Sequence, residues 1–316
     1  MTQIACDVID KLLCTEMRRR GKWRGFKWTL YELARAASDR PLVLAAAEKL
    51  NGPPARIGIV TGAAIPDHMP AGENDGPFGS TVLAHVLSRI GHRVSILTDP
   101  ACAPPIEFLV KRAKIDAPVI HLTLNDNAQQ EKLAQEFDIL VAIERLGGNP
   151  RGKLHGINGF CRDAFRCNVD RLFTTHTALG RASVAIGDGG NEIGFGRIYQ
   201  QLSTRLSDFA LMDKADGGIF SAVPTDVLVV ASSSNLGAYG VAAALALLRN
   251  DATLCHTPWE EVALHHVGVG LGLVDGGGGG AIPWCDGIPA EASAAIVLLM
   301  RNIVERTLDD PSARPF

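Results

Sequence analysis

Residues 182–196 read Ala182-Ser183-Val184-Ala185-Ile186-Gly187-Asp188-Gly189-Gly190-Asn191-Glu192-Ile193-Gly194-Phe195-Gly196. The first five residues are typical of a strand. The five glycines that follow have the most backbone entropy to lose in a helix or strand, so they predict a sharply bent loop. Asp188, Asn191 and Glu192 then lie where a strand ends, a common position for a site in α/β proteins. A purely structural turn, with its acids in water, is the alternative.

The same strand-and-helix alternation extends to both sides of this stretch. Continuous apolar strands that alternate with helices are typical of a parallel sheet covered on both faces. We therefore predict an α/β fold with a doubly wound, mostly parallel sheet. The predicted strands start near Ile57, Arg93, Val119, Ile139, Ser183 and Val227. The predicted helices cover residues 77–90, 106–113, 128–137, 238–248 and 291–307.

The first 52 residues predict a helical N-terminal segment packed on the core, followed by one α/β domain over residues 53–316. Apolar positions have helical spacing over residues 7–20 and 29–50. Between them lies the basic and aromatic segment Lys22–Trp28. Such a pattern can mark a nucleic-acid surface, but the segment is short and the chain is acidic. We favour a buried tryptophan pair with solvated lysines.

Composition narrows the class of protein. Of 316 residues, 47% are hydrophobic and 21% charged, which is typical of a globular protein. A net charge of −3 gives no electrostatic signature for nucleic acid or a membrane surface. The seven cysteines form no CxxC pair, and no apolar run approaches the roughly 20 residues of a membrane span. We expect reduced thiols, a cytoplasmic location and a small-molecule partner, with homo-oligomerisation left open.

Carboxylates recur at the predicted carboxyl ends of the strands. Like charges gathered there repel one another unless a cation or a basic ligand lies among them, and Arg145 alone does not balance them. The pattern indicates a divalent metal with oxygen ligands, an amine-bearing substrate, or both. No GxGxxG follows the first strand, so no organic cofactor is expected. A helix cap is the alternative role for Asp75, and a strand-end cap is favoured for Asp99. The recurring acids are Glu73, Asp75, Asp99, Glu144, Asp188 and Glu192.

Several motifs occur together in a fixed order: Thr61-Gly62, Glu73-Asn74-Asp75-Gly76-Pro77, Glu144-Arg145, Gly187 to Gly194, Ser234-Asn235-Leu236-Gly237, Val274-Asp275-Gly276 and Cys285-Asp286-Gly287. Over residues 20–307 the chain resembles the D-glutamate cyclase C-terminal domain family, formerly a domain of unknown function. In many relatives a hydro-lyase-like domain precedes this one, and these 316 residues do not include it. The chain departs from the family pattern at Phe195, at Leu236 and in the pentaglycine Gly276–Gly280.

The resemblance implies a carbon–oxygen lyase that converts D-glutamate to 5-oxo-D-proline with loss of water. Forming that lactam requires a neutral amine about 3 Å from the γ-carboxyl carbon and an activated carboxyl group. Arg145 or a helix N-terminus would hold the α-carboxylate. The catalytic candidates are Asp188, Glu192, Glu73 and Asp75. The substrate-binding candidates are Arg145, Glu144, Asn191, Asn235, Thr61, Gly62, Gly189 and Gly190. The metal candidates, for Mn²⁺ or Mg²⁺, are Asp188, Glu192 and Glu144.

Two other classes of function stay open. One is a metal-assisted hydrolase of a small amino-acid derivative. The other is a non-catalytic module that binds a small molecule.

Overall fold

A six-stranded, wholly parallel sheet forms the centre of the protein. The computed structural model describes residues 1–17, 25–212 and 214–309. Neighbouring strands follow the order β3-β2-β1-β4-β5-β6, and every pair is parallel. The predicted fold class is confirmed. The strands are β1 Arg56–Val60, β2 Arg93–Thr98, β3 Val119–His121, β4 Ile139–Ile143, β5 Ala182–Gly187 and β6 Val227–Val230.

Helices cover both faces of this sheet. All residues of β4 and β6 are buried, as expected for apolar strands covered on both sides. No helix of the described ranges combines the length and the apolar character needed to cross a bilayer. A short antiparallel pair, β7 Trp284–Cys285 and β8 Ile288–Pro289, precedes the last helix. The helices are α1 Thr2–Leu13, α2 Phe26–Ala36, α3 Leu42–Leu50, α4 Pro77–Arg89, α5 Ala103–Arg112, α6 Asn127–Glu136, α7 Asp170–Ala178, α8 Tyr199–Arg205, α9 Ser207–Ala210, α10 Ser234–Arg249, α11 Pro258–Gly270 and α12 Ala290–Leu308.

The strand order reverses between β1 and β4. From β1 the chain continues outward to β2 and β3, whereas from β4 it continues to β5 and β6 on the other side. Loops that leave adjacent strands in opposite directions open a crevice at the carboxyl ends, and ligands bind there in open α/β sheets. Thr61 follows β1 and Glu144 follows β4. The topology therefore directs the search for a site to these two strand ends.

The N-terminal helices differ from the predicted ones. The single helix expected over residues 29–50 is two helices, α2 and α3, separated by residues 37–41, and Pro41 immediately precedes α3. Proline lacks an N–H and disfavours helical backbone in the residue before it, so a helix does not continue through it. Helix α1 begins at Thr2 and ends at Leu13, earlier than the predicted 7–20, and residues 18–20 lie outside the described ranges.

Helices α1 and α3 share a hydrophobic core with the sheet. Ile9, Leu13 and Val43 are fully buried in this core. A Cβ on Gly240 would lie 2.5 Å from Leu13 and 3.1 Å from Val43, so glycine allows α10 to approach both helices. The division of the chain at residues 52 and 53 stays a prediction.

The expected burial of the basic and aromatic segment is reversed where the structure describes it. Trp28 is 41% exposed, whereas Lys27 is only 5% exposed. Residues 22–24, with Trp23, lie outside the described ranges. An ammonium group is buried only when it is paired, and the Lys27 Nζ atom lies 2.5 Å from Asp188 Oδ2. The solvated lysine was therefore a wrong prediction for Lys27.

Asp10 provides a pH test of how the N-terminal helices pack. Its carboxylate accepts hydrogen bonds from the backbone N–H groups of Leu42 (2.5 Å) and Val43 (3.0 Å) at the start of α3. Burial raises the pKa of Asp10 to about 7, whereas in an unfolded chain it is about 4. Between these values the folded state holds an extra proton, so its stability falls as the pH rises.

We expect wild-type protein to lose stability relative to Asp10→Asn between about pH 4 and pH 7, because the amide does not titrate. Urea unfolding of both proteins across that range measures the difference. Parallel pH curves for the two proteins would contradict this role of Asp10.

Candidate active site

Two helices at the switch point cap each other. The carboxylate of Asp75 accepts hydrogen bonds from Ser234 N (2.9 Å) and Asn235 N (2.7 Å), at the start of α10. In return, Asn235 Oδ1 accepts from Gly76 N (2.9 Å) and Gly79 N (2.7 Å), at the start of α4. Asp75 is thus a helix cap, though for α10 rather than for the helix that follows it. N–H groups at the starts of α4 and α10, where a ligand carboxylate was expected to bind, are therefore bonded to the Asn235 amide oxygen and the Asp75 carboxylate of the protein itself.

The glycine-rich loop after β5 folds around Glu192. Glu192 Oε1 accepts hydrogen bonds from Asp188 N (3.0 Å) and Gly189 N (2.7 Å). Gly190 and Gly194 have φ angles of 90° and 103°, which side chains other than glycine rarely adopt. Glu192 is 1% exposed, and its Oε2 atom has no hydrogen-bond partner. One oxygen of Glu192 thus fixes the loop, and the other is available to a ligand.

The carboxylates predicted from the strand ends converge. Oxygen atoms of Glu144, Asp188 and Glu192 lie within 4.8 Å of one another, and so do those of Asp75, Asp188 and Asp286. Asp188 belongs to both groups. We call these five residues, together with Glu73, the carboxylate cluster. Asp75 and Asp188 are buried while Glu73 and Glu144 are partly exposed, so solvent reaches the cluster from the side of those two glutamates.

Crowding of negative charge alters the acidity of this cluster. Removal from water raises the pKa of Glu73 to about 8. It also raises the pKa of Glu192 to about 7 and that of Asp75 to about 6, and the charge of Asp188 adds to both shifts. The pKa of Glu144 is well above its usual range for the same two reasons. Near neutral pH the cluster therefore contains both protonated and ionised carboxyl groups, the combination that general acid–base catalysis requires.

Lys27 brings a positive charge into the cluster from the N-terminal segment. Its Nζ atom lies 2.5 Å from Asp188 Oδ2 and also donates to the backbone oxygen of Asp188. Sequence reasoning missed this residue because 160 residues separate it from its partner. It missed Asp286 as a cluster member too, although the Cys285-Asp286-Gly287 motif was an available signal.

Arg145 is directed at Asp99 inside the protein. Its Nη1 and Nη2 atoms lie 2.8 and 2.9 Å from the two Asp99 oxygens. They also donate to the backbone oxygens of Gly62 and Cys167. Asp99 also accepts a hydrogen bond from Cys167 N. Its role is therefore wider than the expected strand-end cap, because it binds both Arg145 and the loop at Cys167. Both terminal nitrogens of Arg145 thus bind groups of the protein. The assignment of Arg145 to a substrate carboxylate stays a prediction.

The remaining predicted binding residues mainly support the loops. Asn191 Nδ2 donates to His155 O (2.8 Å), and Gly190 O accepts from Ser221 N (3.0 Å). Thr61 is fully buried, and its hydroxyl has no hydrogen-bond partner. Thr61, Gly62, Gly189, Gly190 and Asn191 stay predictions as substrate-binding residues.

A separate cavity lies at the other end of the sheet. It has a volume of about 310 Å³ and is lined by residues that include Arg40, Glu48, Lys49 and Val227. Val227 is the first residue of β6, so this cavity opens at the amino ends of the strands. It is remote from the titratable cluster, and the switch-point rule favours the carboxyl ends.

Comparison with known proteins identifies the family. The D-glutamate cyclase-like, C-terminal family matches residues 12–301. Because this match covers nearly the whole chain, the chain belongs to that family, and the resemblance noted in its motifs is confirmed.

One curated relative and two solved structures complete the comparison. The chain is 27% identical over 203 residues to the mitochondrial D-glutamate cyclase of Homo sapiens. The aligned part covers 59% of this chain and 32% of that protein. A glycotransferase of kitacinnamycin is 12% identical, with a TM-score of 0.25, and covers 51% of this chain and 37% of its own. An NADH-dependent reductase A1-R' complexed with NAD is 15% identical, with a TM-score of 0.26, and covers 51% and 76%. These two TM-scores are too low to carry an argument.

The cytoplasmic location expected for this chain stays a prediction.

The Lys27–Asp188 pair leads to a stability prediction. We expect Lys27→Met to lower the free energy of unfolding by about 3 kcal/mol at pH 7, because it breaks the buried ion pair with Asp188 by removing one partner. The double variant Lys27→Met/Asp188→Asn removes both charges and should recover much of that loss. Denaturant unfolding of the three proteins measures the effect. Equal losses in the single and double variants would show that the side-chain packing of Lys27 matters more than its charge.

Proposed function

We propose that the carboxylate cluster carries out D-glutamate cyclase-like lyase chemistry, the dehydrating cyclisation of D-glutamate to 5-oxo-D-proline. Membership of the D-glutamate cyclase-like family supports the reaction class. The observation that carries the proposal is the convergence of carboxylates at the switch point, where Glu192 Oε2 has no protein partner. The human relative is about three times as long as the matched region. That this chain alone carries out the cyclase reaction is therefore part of the proposal.

The chemistry makes two demands, and the cluster has groups suited to both. The substrate's ammonium must lose one proton before its nitrogen attacks the γ-carboxyl carbon and a second once the C–N bond has formed, and we assign the first to Asp188. The C–O bond then breaks, and the leaving oxygen of the γ-carboxylate takes up two protons in all to depart as water. Glu73 and Glu192, with pKa values of about 8 and 7, hold protons near neutral pH and are suited to supply one.

The cluster also fits a divalent cation. Hard cations prefer several carboxylate oxygens, and the two groups of acids that share Asp188 offer them. Asp75, Asp188, Asp286, Glu144 and Glu192 would hold such an ion. When bound, it would polarise the γ-carboxyl group as a Lewis acid. A metal-assisted hydrolase of a small amino-acid derivative would use the same ligands.

A non-catalytic binding module is a second candidate. The observation that favours it is the Lys27–Asp188 ion pair, because it engages the carboxylate that the lyase chemistry assigns as the base. Such a module would bind D-glutamate or 5-oxoproline without converting one to the other.

Replacing Asp188 tests the catalytic proposal. We expect Asp188→Asn to lower the turnover of D-glutamate by roughly 10²-fold or more, the usual scale for a general acid or base. The double variant with Lys27→Met should be equally impaired, which separates loss of the base from disruption of the Lys27–Asp188 ion pair. Asp116→Asn is the matched control, because Asp116 is an exposed acid before β3 and should leave turnover unchanged. Product formation is measured by chromatography on folded protein.

Full turnover by Asp188→Asn would refute its role as the base. Binding of D-glutamate by wild type without product would favour the binding module. Hydrolysis of an N-acylated amino acid in place of cyclisation would favour the hydrolase.

Heat-shift measurements test the cation. We expect Mn²⁺ or Mg²⁺ to raise the melting temperature of wild-type protein, since a ligand that binds the folded state stabilises it. Glu192→Gln should reduce that rise, because it removes charge from the carboxylate whose Oε2 atom has no protein partner. Equal rises in wild type and Glu192→Gln would place the ion elsewhere.

A further inference from the structure

Arg166 carries a buried positive charge that the mechanism has not used. We propose that its guanidinium group binds a carboxylate of the substrate, so that the site selects amino acids whose ammonium faces the carboxylate cluster and whose carboxylate faces Arg166. This inference rests on the proposed function for the identity of the substrate and concerns its recognition.

The hydrogen bonding of Arg166 is incomplete. The residue is 4% exposed, and Nη2 donates to Ala64 O at 3.1 Å. Its buried Nε atom has no partner. Within the described ranges, no carboxylate lies within ion-pair distance of this guanidinium. Guanidinium has five N–H donors in a planar fork, so most of them remain for a ligand.

Arg145, at the start of the long loop between β4 and α7 that also contains Arg166, shows the contrasting arrangement. It is fully buried and forms a two-pronged pair with Asp99. Further donors reach the backbone oxygens of Gly62 and Cys167. Its charge is therefore balanced within the protein, whereas the charge of Arg166 lacks such a partner. Of the two buried arginines, the geometry favours Arg166 as the one that meets a substrate.

Arg166 lies at the same edge of the sheet as the cluster. Ala64, which accepts its hydrogen bond, belongs to the loop between β1 and α4 that also contains Glu73 and Asp75. The positive charge of Arg166 acts on Glu73, where it opposes the rise in pKa caused by burial. An amino acid with its ammonium against the carboxylates thus meets a cation on the Glu73 side.

Physical chemistry favours a carboxylate as the missing partner. A buried charge without hydrogen bonds is strongly unfavourable, and a bound carboxylate would compensate it. The planar fork of arginine donates two parallel hydrogen bonds to a carboxylate, an arrangement that lysine does not reproduce. Burial lowers the pKa of the Arg166 guanidinium, and repulsion by the nearby charge of Arg145 lowers it further. A bound anion would offset that repulsion as well.

The kinetic test uses full-length protein and D-glutamate. We expect Arg166→Gln to raise KM about 100-fold, the loss of one or two charge-assisted hydrogen bonds, and to change kcat much less. Arg166→Lys should fall between the two, since it keeps the charge and loses the fork. Arg171→Gln is the matched control, because Arg171 is an exposed arginine that pairs with Glu131 in the neighbouring helix. An unchanged KM in folded Arg166→Gln would overturn the proposal.

A binding test separates this inference from the proposed reaction. Glutarate has two carboxylates and no amine, so it probes the guanidinium without any cyclisation. We expect glutarate to raise the melting temperature of wild type and of Arg171→Gln, and to have at least tenfold weaker affinity for Arg166→Gln. That result supports Arg166 even if D-glutamate is not converted, in which case only the proposed function fails. A glutarate effect that is absent in wild type, or kept in Arg166→Gln, would overturn the inference. If Arg166→Gln does not fold, Arg166→Lys carries the same comparison.

Discussion

The mutual capping of α4 and α10 is the interaction on which the site depends. Buried backbone N–H groups must find acceptors. The acceptor for α10 is Asp75, which lies just before α4, and the acceptor for α4 is Asn235, in the first turn of α10. Asp75 receives the first N–H groups of α10, and Asn235 receives those of α4. The loop after β1 is thereby joined to the loop after β6, across the intervening ends of β4 and β5. Glu144 is held within this join by Ser234, whose hydroxyl lies 2.5 Å from its carboxylate.

This join gathers more negative charge than a buried region normally contains, and positive charge from remote parts of the chain offsets it. Lys27 arrives from the N-terminal helices and pairs with Asp188, while Arg166 arrives from the loop after β4. Folding of the N-terminal segment is thus coupled to the electrostatics of the site, although the described residues of that segment contribute no strand to the sheet. Removing that segment would alter the carboxylates as well as the packing of α10.

The sequence predicted what local patterns determine. Apolar runs determine strands, and the rule that parallel strands end at one edge brought together Asp75, Glu144, Asp188 and Glu192. Contacts between distant segments have no such local pattern. The residues around Lys27 do not indicate that it is buried, because its burial depends on where α2 packs in the folded protein. The pairing of Arg145 with Asp99 likewise depends on the registers of β2 and β4 against β1, which lies between them, and no sequence spacing reveals those registers. The break at Pro41 is different, because proline alone was a sufficient signal for it.

The pentaglycine shows why the cluster keeps its unusual acidity. A Cβ on Gly276 would collide with Glu73 Oε2, one on Gly277 would lie 2.5 Å from the backbone carbon of Asp286, and one on Gly278 would lie 2.5 Å from Asp275 Oδ2. Bare backbone therefore packs against Glu73, Asp275 and the backbone of Asp286, where a side chain would force it away. Close packing on this side of Glu73 limits its contact with water, and low local polarity favours the neutral form of an acid. Gly276 thus helps to keep Glu73 protonated near neutral pH, and an alanine at position 276 should displace the glutamate side chain and let its pKa fall toward the usual range.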